Sequence, residues 1–202
     1  MAFTNLNDIF SGSELEEIKQ TINEYLSIDE YISSKEYQIN HPDFQVGTDT
    51  NLGRLQIDLK MPKAIEDKLT RICSSILGFS VRMTTVLCVE YNNKYGNPNL
   101  SPHFDHDRNN LVVDYQLESN TSWDLGIDLS THSLEDNSAL IFNGNEHIHW
   151  RPHKTFKDGE HIKMIFFRFS YARDNAKYIH PDYHPDDPIY DEVKRFRDSL
   201  GN

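Results

Sequence analysis

Cysteine, long apolar runs and basic residues are all scarce in this chain. Only two cysteines occur among its 202 residues, Cys73 and Cys88, and both lie in otherwise apolar segments. We therefore expect buried thiols in a reducing, cytoplasmic compartment rather than a disulfide scaffold. No stretch approaches the roughly 18 consecutive apolar residues of a membrane-spanning helix, and the N-terminal segment lacks the features of a signal peptide.

The charge balance is acidic, with 32 Asp and Glu against 20 Lys and Arg and a formal net charge of -12. Such a surface repels phosphate backbones, and no local basic patch compensates. No Gly/Ser-rich linker or compositional break divides the chain. We expect a single domain over residues 1–202 that takes a small molecule or a peptide, with no nucleic-acid or membrane partner.

The pattern of apolar residues changes along the chain. Helical spacing predicts one helix over residues 13–26, starting at a capping box of Ser13 and Glu16, and another between Pro62 and Gly78. Beyond residue 80 the spacing alternates, which is typical of strands. The predicted strands are 81–91, 111–117, 123–129, 139–142 and 162–171.

This order of elements predicts an α+β protein with a barrel or jelly-roll core. Supporting helices are expected in about residues 1–80, the barrel in about 81–172 and an extension in 173–202. The extension is expected to end in a short helix containing Val193, Phe196 and Leu200.

The segment His103-Phe104-Asp105 carries the most informative chemistry. If it is a strand, alternate side chains place His103 and Asp105 on one face. Two histidines and one carboxylate form the facial triad of non-haem Fe(II) oxygenases, which leaves positions for a cosubstrate and O₂. The neighbouring His106 and Asp107 are expected in a solvated turn.

The third ligand is expected among the histidines that follow about forty-five residues later. His147, His149 and His153 share one strand face, so spacing does not choose among them. His-Pro-Asp tripeptides begin at His41, at His180 and at His184, and there we expect turns instead of ligands.

A dicarboxylate cosubstrate also needs a cation for its far carboxylate. Lys163 and Arg168 both lie in the last predicted strand, on opposite faces. Only one of these faces can look into the barrel unless a bulge intervenes. Both residues therefore remain candidates.

Two segments resemble the Fe(II)/2-oxoglutarate-dependent oxygenases, specifically their prolyl 4-hydroxylase-like branch. The first runs from Glu90-Tyr91 through Gly96 to Pro102-His103-Phe104-Asp105. The second is Ser138–Gly144, followed by His149-Trp150-Arg151-Pro152. The resemblance covers about residues 81–171.

The resemblance implies a double-stranded β-helix (a jelly-roll, cupin-like core) with His103, Asp105 and His149 as catalytic iron ligands. His147 stays the alternative to His149. It also implies that Tyr91 contacts 2-oxoglutarate. Because the family cation lies early on the final strand, the resemblance favours Lys163 and leaves Arg168 as the alternative.

The implied activity is that of a dioxygenase using Fe(II), 2-oxoglutarate and O₂, with ascorbate as an optional addition. It would hydroxylate a peptidyl residue such as proline, a free amino acid or a small metabolite, and release succinate and CO₂. Arg151, which shares a face with His149, is the expected substrate-binding residue. The alternatives are a non-catalytic jelly-roll binding protein and a zinc hydrolase using the same His/Asp/His site.

Overall fold

The computed structural model describes residues 3–27, 53–98, 100–105, 110–171, 195–196 and 198–200. Over these ranges the chain forms helices α1 (Gly12–Leu26) and α2 (Lys63–Leu77) and a 3-10 turn at Asn93–Tyr95. The strands are β1 (Thr4–Leu6), β2 (Leu55–Asp58), β3 (Val81–Asn92), β4 (Leu100–His103), β5 (Leu111–Ser119), β6 (Leu125–Ile127), β7 (Ser130–His132), β8 (Ser138–Phe142), β9 (His149–Arg151) and β10 (His161–Tyr171).

Helix α1 begins at a capping box, but at Ser11 instead of Ser13. The Ser11 backbone N–H donates to Glu14 Oε2 at 2.7 Å, and the Glu14 backbone N–H donates to Ser11 Oγ at 3.4 Å. Both serines are followed three residues later by a glutamate, so the motif alone does not distinguish them. The prediction of a box at Ser13 and Glu16 is wrong by two residues.

The predicted limits of helix α2 are confirmed by the structure. Pro62 is its N-cap, and Gly78 ends it in the left-handed conformation with φ +73°. A residue without Cβ adopts this conformation at little cost, which is why glycine so often follows a helix.

The strands form two antiparallel sheets. The six-stranded sheet has the order β1-β8-β5-β10-β3-β2, and the four-stranded sheet has the order β4-β9-β6-β7. Several neighbours within each sheet are distant in sequence, as in a jelly roll. The architecture is the expected α+β double-stranded β-helix.

The six-stranded sheet is buried on both faces. On one face, Phe167 and Phe169 of β10 pack in a hydrophobic cluster with Ile18 of α1 and Leu69 of α2. We call this the helix-facing side. The helices cover this side, so the opposite side of the sheet lines the interior of the barrel.

The opposite side looks toward the four-stranded sheet and is called the inner side. Met164 and Phe166 of β10 pack there with Tyr91 of β3, Trp123 and Phe156. The strict alternation along β10 thus separates two cores.

A β-bulge alters this alternation in β5. Lys163 pairs with Glu118, whereas Met164 pairs with Gln116, so Leu117 is the extra residue. Because a bulge shifts the facing of the residues beyond it, Glu118 joins Lys163 on the helix-facing side.

The first eighty residues contribute more than supporting helices. β1 pairs with β8, and β2 pairs with β3, so both extend the six-stranded sheet. β4 lies outside the strands predicted from alternation, and of the strand expected over residues 123–129 only β6 forms. Short strands carry too few alternating positions for a pattern to mark them.

Both cysteines are buried and unbridged, and burial raises the pKa of each thiol to about 12. Across the described ranges, no helix is long and apolar enough to cross a membrane. The tripeptides at His41, His180 and His184, the pair His106 and Asp107, and Val193 of the expected final helix lie outside the described residues.

Candidate metal centre

The two predicted ligand segments lie side by side. β4 pairs with β9 so that His103 is opposite His149, and their ring centroids are 4.1 Å apart. Asp105 follows two residues after His103. One ligand atom from each of these three residues lies within 4.8 Å of the others. The structure thus assembles the set His103, Asp105 and His149 at one place, where β4 pairs with β9.

Backbone carbonyls determine which nitrogen of each histidine is available. Nδ1 of His103 lies 2.9 Å from the Ser101 carbonyl oxygen, and Nδ1 of His149 lies 3.2 Å from that of His147. Because a carbonyl only accepts, each Nδ1 carries the proton and each Nε2 keeps its lone pair. Nε2 of His149 is 3.8 Å from Asp105 Oδ1. This orientation is typical of metal-binding histidines.

Asp105 is held by the turn before β9. Its backbone N–H donates to the Gly144 carbonyl at 2.8 Å, and its own carbonyl accepts from Asn145 Nδ2 at 2.9 Å. Asp105 Oδ2 is buried and has no hydrogen-bond partner among the described residues. An unpaired buried carboxylate oxygen is costly, and a bound cation would remove that cost.

Gly144 makes room for this carboxylate. A Cβ built at Gly144 would lie 2.5 Å from Asp105 Oδ2, well inside van der Waals contact. Glycine is therefore required here by the close approach of a ligand side chain rather than by an unusual φ.

Electrostatics favour the metal-binding form of the first histidine. Burial, and then the neighbouring His149, lower the pKa of His103 to about 3. The imidazole is therefore neutral near neutral pH, which is the form that ligates a metal. A further acid, Asp114 of β5, is buried on the inner side, and that burial raises its pKa.

The competing histidines are directed elsewhere. Nδ1 of His147 lies 2.8 Å from Asp128 Oδ2, and His153 is exposed. The three share strand parity, but β9 begins only at His149. The structure thus brings His149, and neither His147 nor His153, to His103 and Asp105.

The inner side also carries a group that we call the inner arginine cluster: Arg54, Tyr91, Trp123, Arg151 and Met164. Arg54 Nη1 donates to the Tyr91 hydroxyl at 3.0 Å. Arg151 donates to the Trp123 carbonyl, and its Nη2 lies 3.1 Å from Met164 Sδ. Two predicted site residues, Tyr91 and Arg151, both lie against the Trp123 ring, whose centroid is 4.9 Å from that of Tyr91 and 5.0 Å from the Arg151 guanidinium carbon.

The structure does not bring Lys163 to the metal centre. Its Nζ donates to Glu118 Oε1 at 2.8 Å on the helix-facing side. That hydrogen bond is the largest cause that lowers the pKa of Glu118, and the charge of Lys19 in α1 lowers it further. The preference for Lys163 assumed that its face looks inward, and the structure contradicts that placement. The helices cover this face, a feature of tertiary packing that strand parity does not reveal.

Arg168, the alternative, does lie on the inner side. It shares the parity of Met164 and Phe166, and its charge acts on His103. Its Nε is buried with no hydrogen-bond partner among the described residues.

Sequence reasoning missed several inner residues. Asp114 carries a recognisable signal, since it interrupts the buried apolar strand Leu111–Ser119. Arg54 and Trp123 carry none, because only the fold brings them to Tyr91 and Arg151. Gly144 lies in the predicted turn, but its contact with Asp105 depends on pairing between distant strands.

No protein-family model matches this chain, and no curated protein does. Solved structures do match. HygX from Streptomyces hygroscopicus, solved with nickel and 2-oxoglutarate bound, has a TM-score of 0.55 at 9% identity, covering 84% of this chain and 83% of its own.

A Pseudomonas putida prolyl-4-hydroxylase has a TM-score of 0.53 at 11% identity, covering 85% of this chain and 93% of its own. The non-haem α-ketoglutarate-dependent epimerase SnoN from nogalamycin biosynthesis has a TM-score of 0.52 at 9% identity, covering 84% of this chain and 78% of its own.

These likenesses show the fold. The chain has the double-stranded β-helix fold of the Fe(II)/2-oxoglutarate oxygenases. Within that fold it carries a His-Asp-His set whose donors suit Fe(II), namely two imidazole nitrogens and one carboxylate.

Proposed function

We propose that this protein is an Fe(II)- and 2-oxoglutarate-dependent dioxygenase. The observation that carries the proposal is the convergence of His103, Asp105 and His149 around an unpartnered buried carboxylate oxygen. The substrate would be a peptidyl residue such as proline, a free amino acid or another small metabolite, and the reaction would hydroxylate it.

The metal would be held by Nε2 of both histidines and by the Asp105 carboxylate. When bound, Fe(II) with 2-oxoglutarate and O₂ supplies the oxidising power, and the cosubstrate leaves as succinate and CO₂. The protein must hold its three ligands on one side of the metal so that the opposite side stays open.

The surrounding residues support this geometry. The carbonyls of Ser101 and His147 fix the two imidazole rings, and the Gly144–Asn145 turn fixes Asp105. These positioning contacts come from backbone and buried side chains, so they require no rearrangement when the metal enters.

Succinate formation tests the proposal. The full chain is loaded anaerobically with Fe(II) and 2-oxoglutarate, O₂ is admitted, and succinate is measured with and without candidate substrates. We expect turnover by the wild-type protein and none by Asp105→Ala. His147→Ala is the matched control and should keep turnover, since His147 pairs with Asp128. Equal succinate from wild type and Asp105→Ala would sink the oxygenase function.

A further inference from the structure

Asp114 carries a buried carboxyl group without a partner. It lies on β5, and only 7% of the residue is exposed. In the described part of the chain its side chain forms neither a hydrogen bond nor an ion pair. Carboxyl groups are almost never fully buried unless they are paired, because removing the charge from water is costly. A cationic group bound beside Asp114 would offset this cost.

The Asp114 side chain borders the metal centre. Asp114 pairs with Phe166 of β10 and Leu140 of β8, which both lie on the inner side. His149 and Asp105 are close enough for their charges to act on it. Asp114 is not among the three residues whose ligand atoms converge. It is therefore placed to contact a molecule at the metal without ligating the metal.

Arg168 is an unpartnered cation on the same side. It pairs with Val112, which pairs with Phe142, and the Phe142 ring centroid is 5.0 Å from that of His149. Arg168 therefore starts at the level of the triad. Its Nε is buried without a hydrogen bond among the described residues, as is Oγ of Ser170, the next inner-side residue of β10. Adjacent unpaired donors suit a carboxylate, which accepts at both oxygens.

The two opposite charges are neighbours that do not pair with each other. Asp114 is opposite Phe166, and Arg168 is opposite Val112, so Asp114 and Arg168 are diagonal neighbours. Such neighbours lie about 7 to 8 Å apart across antiparallel strands, within reach of a long side chain. Over the described ranges no ion pair joins them, although each feels the charge of the other. A ligand that carries a cation and an anion close together would pair with both.

The surroundings of these charges are apolar. Val112, Leu140 and Phe142 belong to one buried cluster, and Phe166 belongs to the adjacent one. Burying a charged or polar side chain against such residues would be costly without a partner. The part of the ligand beyond its two charged groups is therefore expected to be apolar.

We propose that Asp114 and Arg168 select a free α-amino acid with an apolar side chain as the substrate. Its ammonium group pairs with Asp114, and its carboxylate accepts from Arg168 and from the Ser170 hydroxyl. One carbon joins the two groups, so they match charges that are diagonal neighbours. A peptidyl residue carries neutral amides instead of both charges. This assignment rests on the proposed function, narrows its substrate class, and replaces the expectation that Arg168 binds 2-oxoglutarate.

Binding to an inactive metal form tests the assignment without turnover. The full chain is loaded with Mn²⁺ and 2-oxoglutarate, and each of the twenty standard L-α-amino acids is titrated by calorimetry. We expect binding by an acid with an apolar side chain, such as leucine, isoleucine, valine or proline. The N-acetyl amide of that acid, which lacks both charges, should bind about 100-fold more weakly.

Analogues that lack one charged group separate the two contacts. For leucine these are 4-methylpentanoate, which has no ammonium group, and 3-methylbutylamine, which has no carboxylate. Wild type should prefer the amino acid to either analogue by about 10- to 100-fold, the range for hydrogen bonds to charged groups. Asp114→Asn should lose only the preference over the analogue without ammonium. Arg168→Met should lose only the preference over the analogue without carboxylate.

Two controls lie on the same strands but on the opposite side. Glu118→Gln and Lys163→Met remove the two members of the helix-facing ion pair, and both variants should keep both preferences. Arg168→Lys keeps the charge but loses the planar fork, and should weaken binding of the amino acid about 10-fold. It serves as the readout if Arg168→Met does not fold.

The possible failures are distinguishable. The substrate class is overturned, and the oxygenase function stands, if loaded wild type binds none of the twenty acids or binds the N-acetyl amide equally well. The same holds if the Asp114 and Arg168 variants keep both preferences, or if Arg168→Met loses 2-oxoglutarate itself. If wild type with Mn²⁺ does not bind 2-oxoglutarate, the proposed function fails together with the assignment.

Discussion

At the scale of single residues, the metal centre depends on Gly144, which leaves room for a ligand because it has no side chain. Gly144 sits against Asp105, and its carbonyl accepts the Asp105 backbone N–H. The ligand carboxylate can occupy its position only because the Cβ is absent. A small change at this glycine should therefore affect the metal more than the fold.

We predict that Gly144→Ala weakens binding of Co²⁺ by about 10- to 100-fold, the range seen when residues supporting metal ligands are changed. The added methyl would lie 2.5 Å from Asp105 Oδ2 and displace it. Calorimetric titration measures the effect. Gly12→Ala is the matched control, because a Cβ there meets nothing within 4 Å. Unchanged affinity in Gly144→Ala would show that Asp105 does not need this position.

At the scale of elements, the four-stranded sheet depends on one close packing contact. Gly126 of β6 pairs with Trp150 of β9, and the indole lies directly over the glycine. Trp150 also donates through Nε1 to the Asp128 carbonyl at 3.3 Å. The contact holds β9, and with it His149 and Arg151, against β6.

We predict that Gly126→Ala destabilises the protein by about 1–3 kcal/mol through overpacking. A Cβ at this position would lie 2.2 Å from Trp150 Cε2. Urea unfolding at neutral pH measures the loss. In a Trp150→Ala background the same change should cost little, because the clashing ring is gone. An equal cost in both backgrounds would mean that the indole contact is not the cause.

The two helices are also joined by an ion pair. Lys68 Nζ of α2 lies 2.7 Å from Glu14 Oε2 at the start of α1. The hydrogen bond from Lys68, and then that from the Ser11 backbone, lower the pKa of Glu14 to about 2. Because the folded pKa lies below the value of 4.5 in the unfolded chain, the stabilisation is complete above pH 4.5 and is lost toward pH 2.

Urea unfolding should therefore show wild type more stable than Lys68→Met at pH 7, with the difference shrinking as pH falls from about 4.5 to about 2. Lys63→Met is the control on the same helix, since Lys63 pairs with Asp67 at the surface and such pairs contribute little. A difference between wild type and Lys68→Met that does not vary with pH would contradict the pairing.

At the scale of the whole molecule, sequence patterns predicted the long elements and the first half of the site. β3 and β10 are long enough for alternation to mark them, and the His103–Asp105 pair is local to one segment. The position of His149 beside this pair depends on the pairing of β4 with β9. The resemblance pointed to His149, whereas spacing did not choose among the three histidines.

What the sequence did not reveal is which side of each strand looks inward. Lys163 and Arg168 were equivalent as patterns, but helices cover the side of Lys163. The bulge at Leu117 then places Glu118 beside Lys163, and the Glu118 carboxylate pairs with the Lys163 charge. The burial of Arg151 follows from the packing of two sheets, which no single strand encodes.

The central claim is that His103, Asp105 and His149 together hold Fe(II) where 2-oxoglutarate can join it. Anaerobic titration of the full chain with Fe(II) and 2-oxoglutarate, followed by the visible charge-transfer absorption of the metal-bound cosubstrate, tests it most directly. We predict one Fe(II) per chain in wild type and in His147→Ala, and loss of the absorption in His149→Ala. An absorption that survives in His149→Ala, or that disappears in His147→Ala alone, would contradict the account.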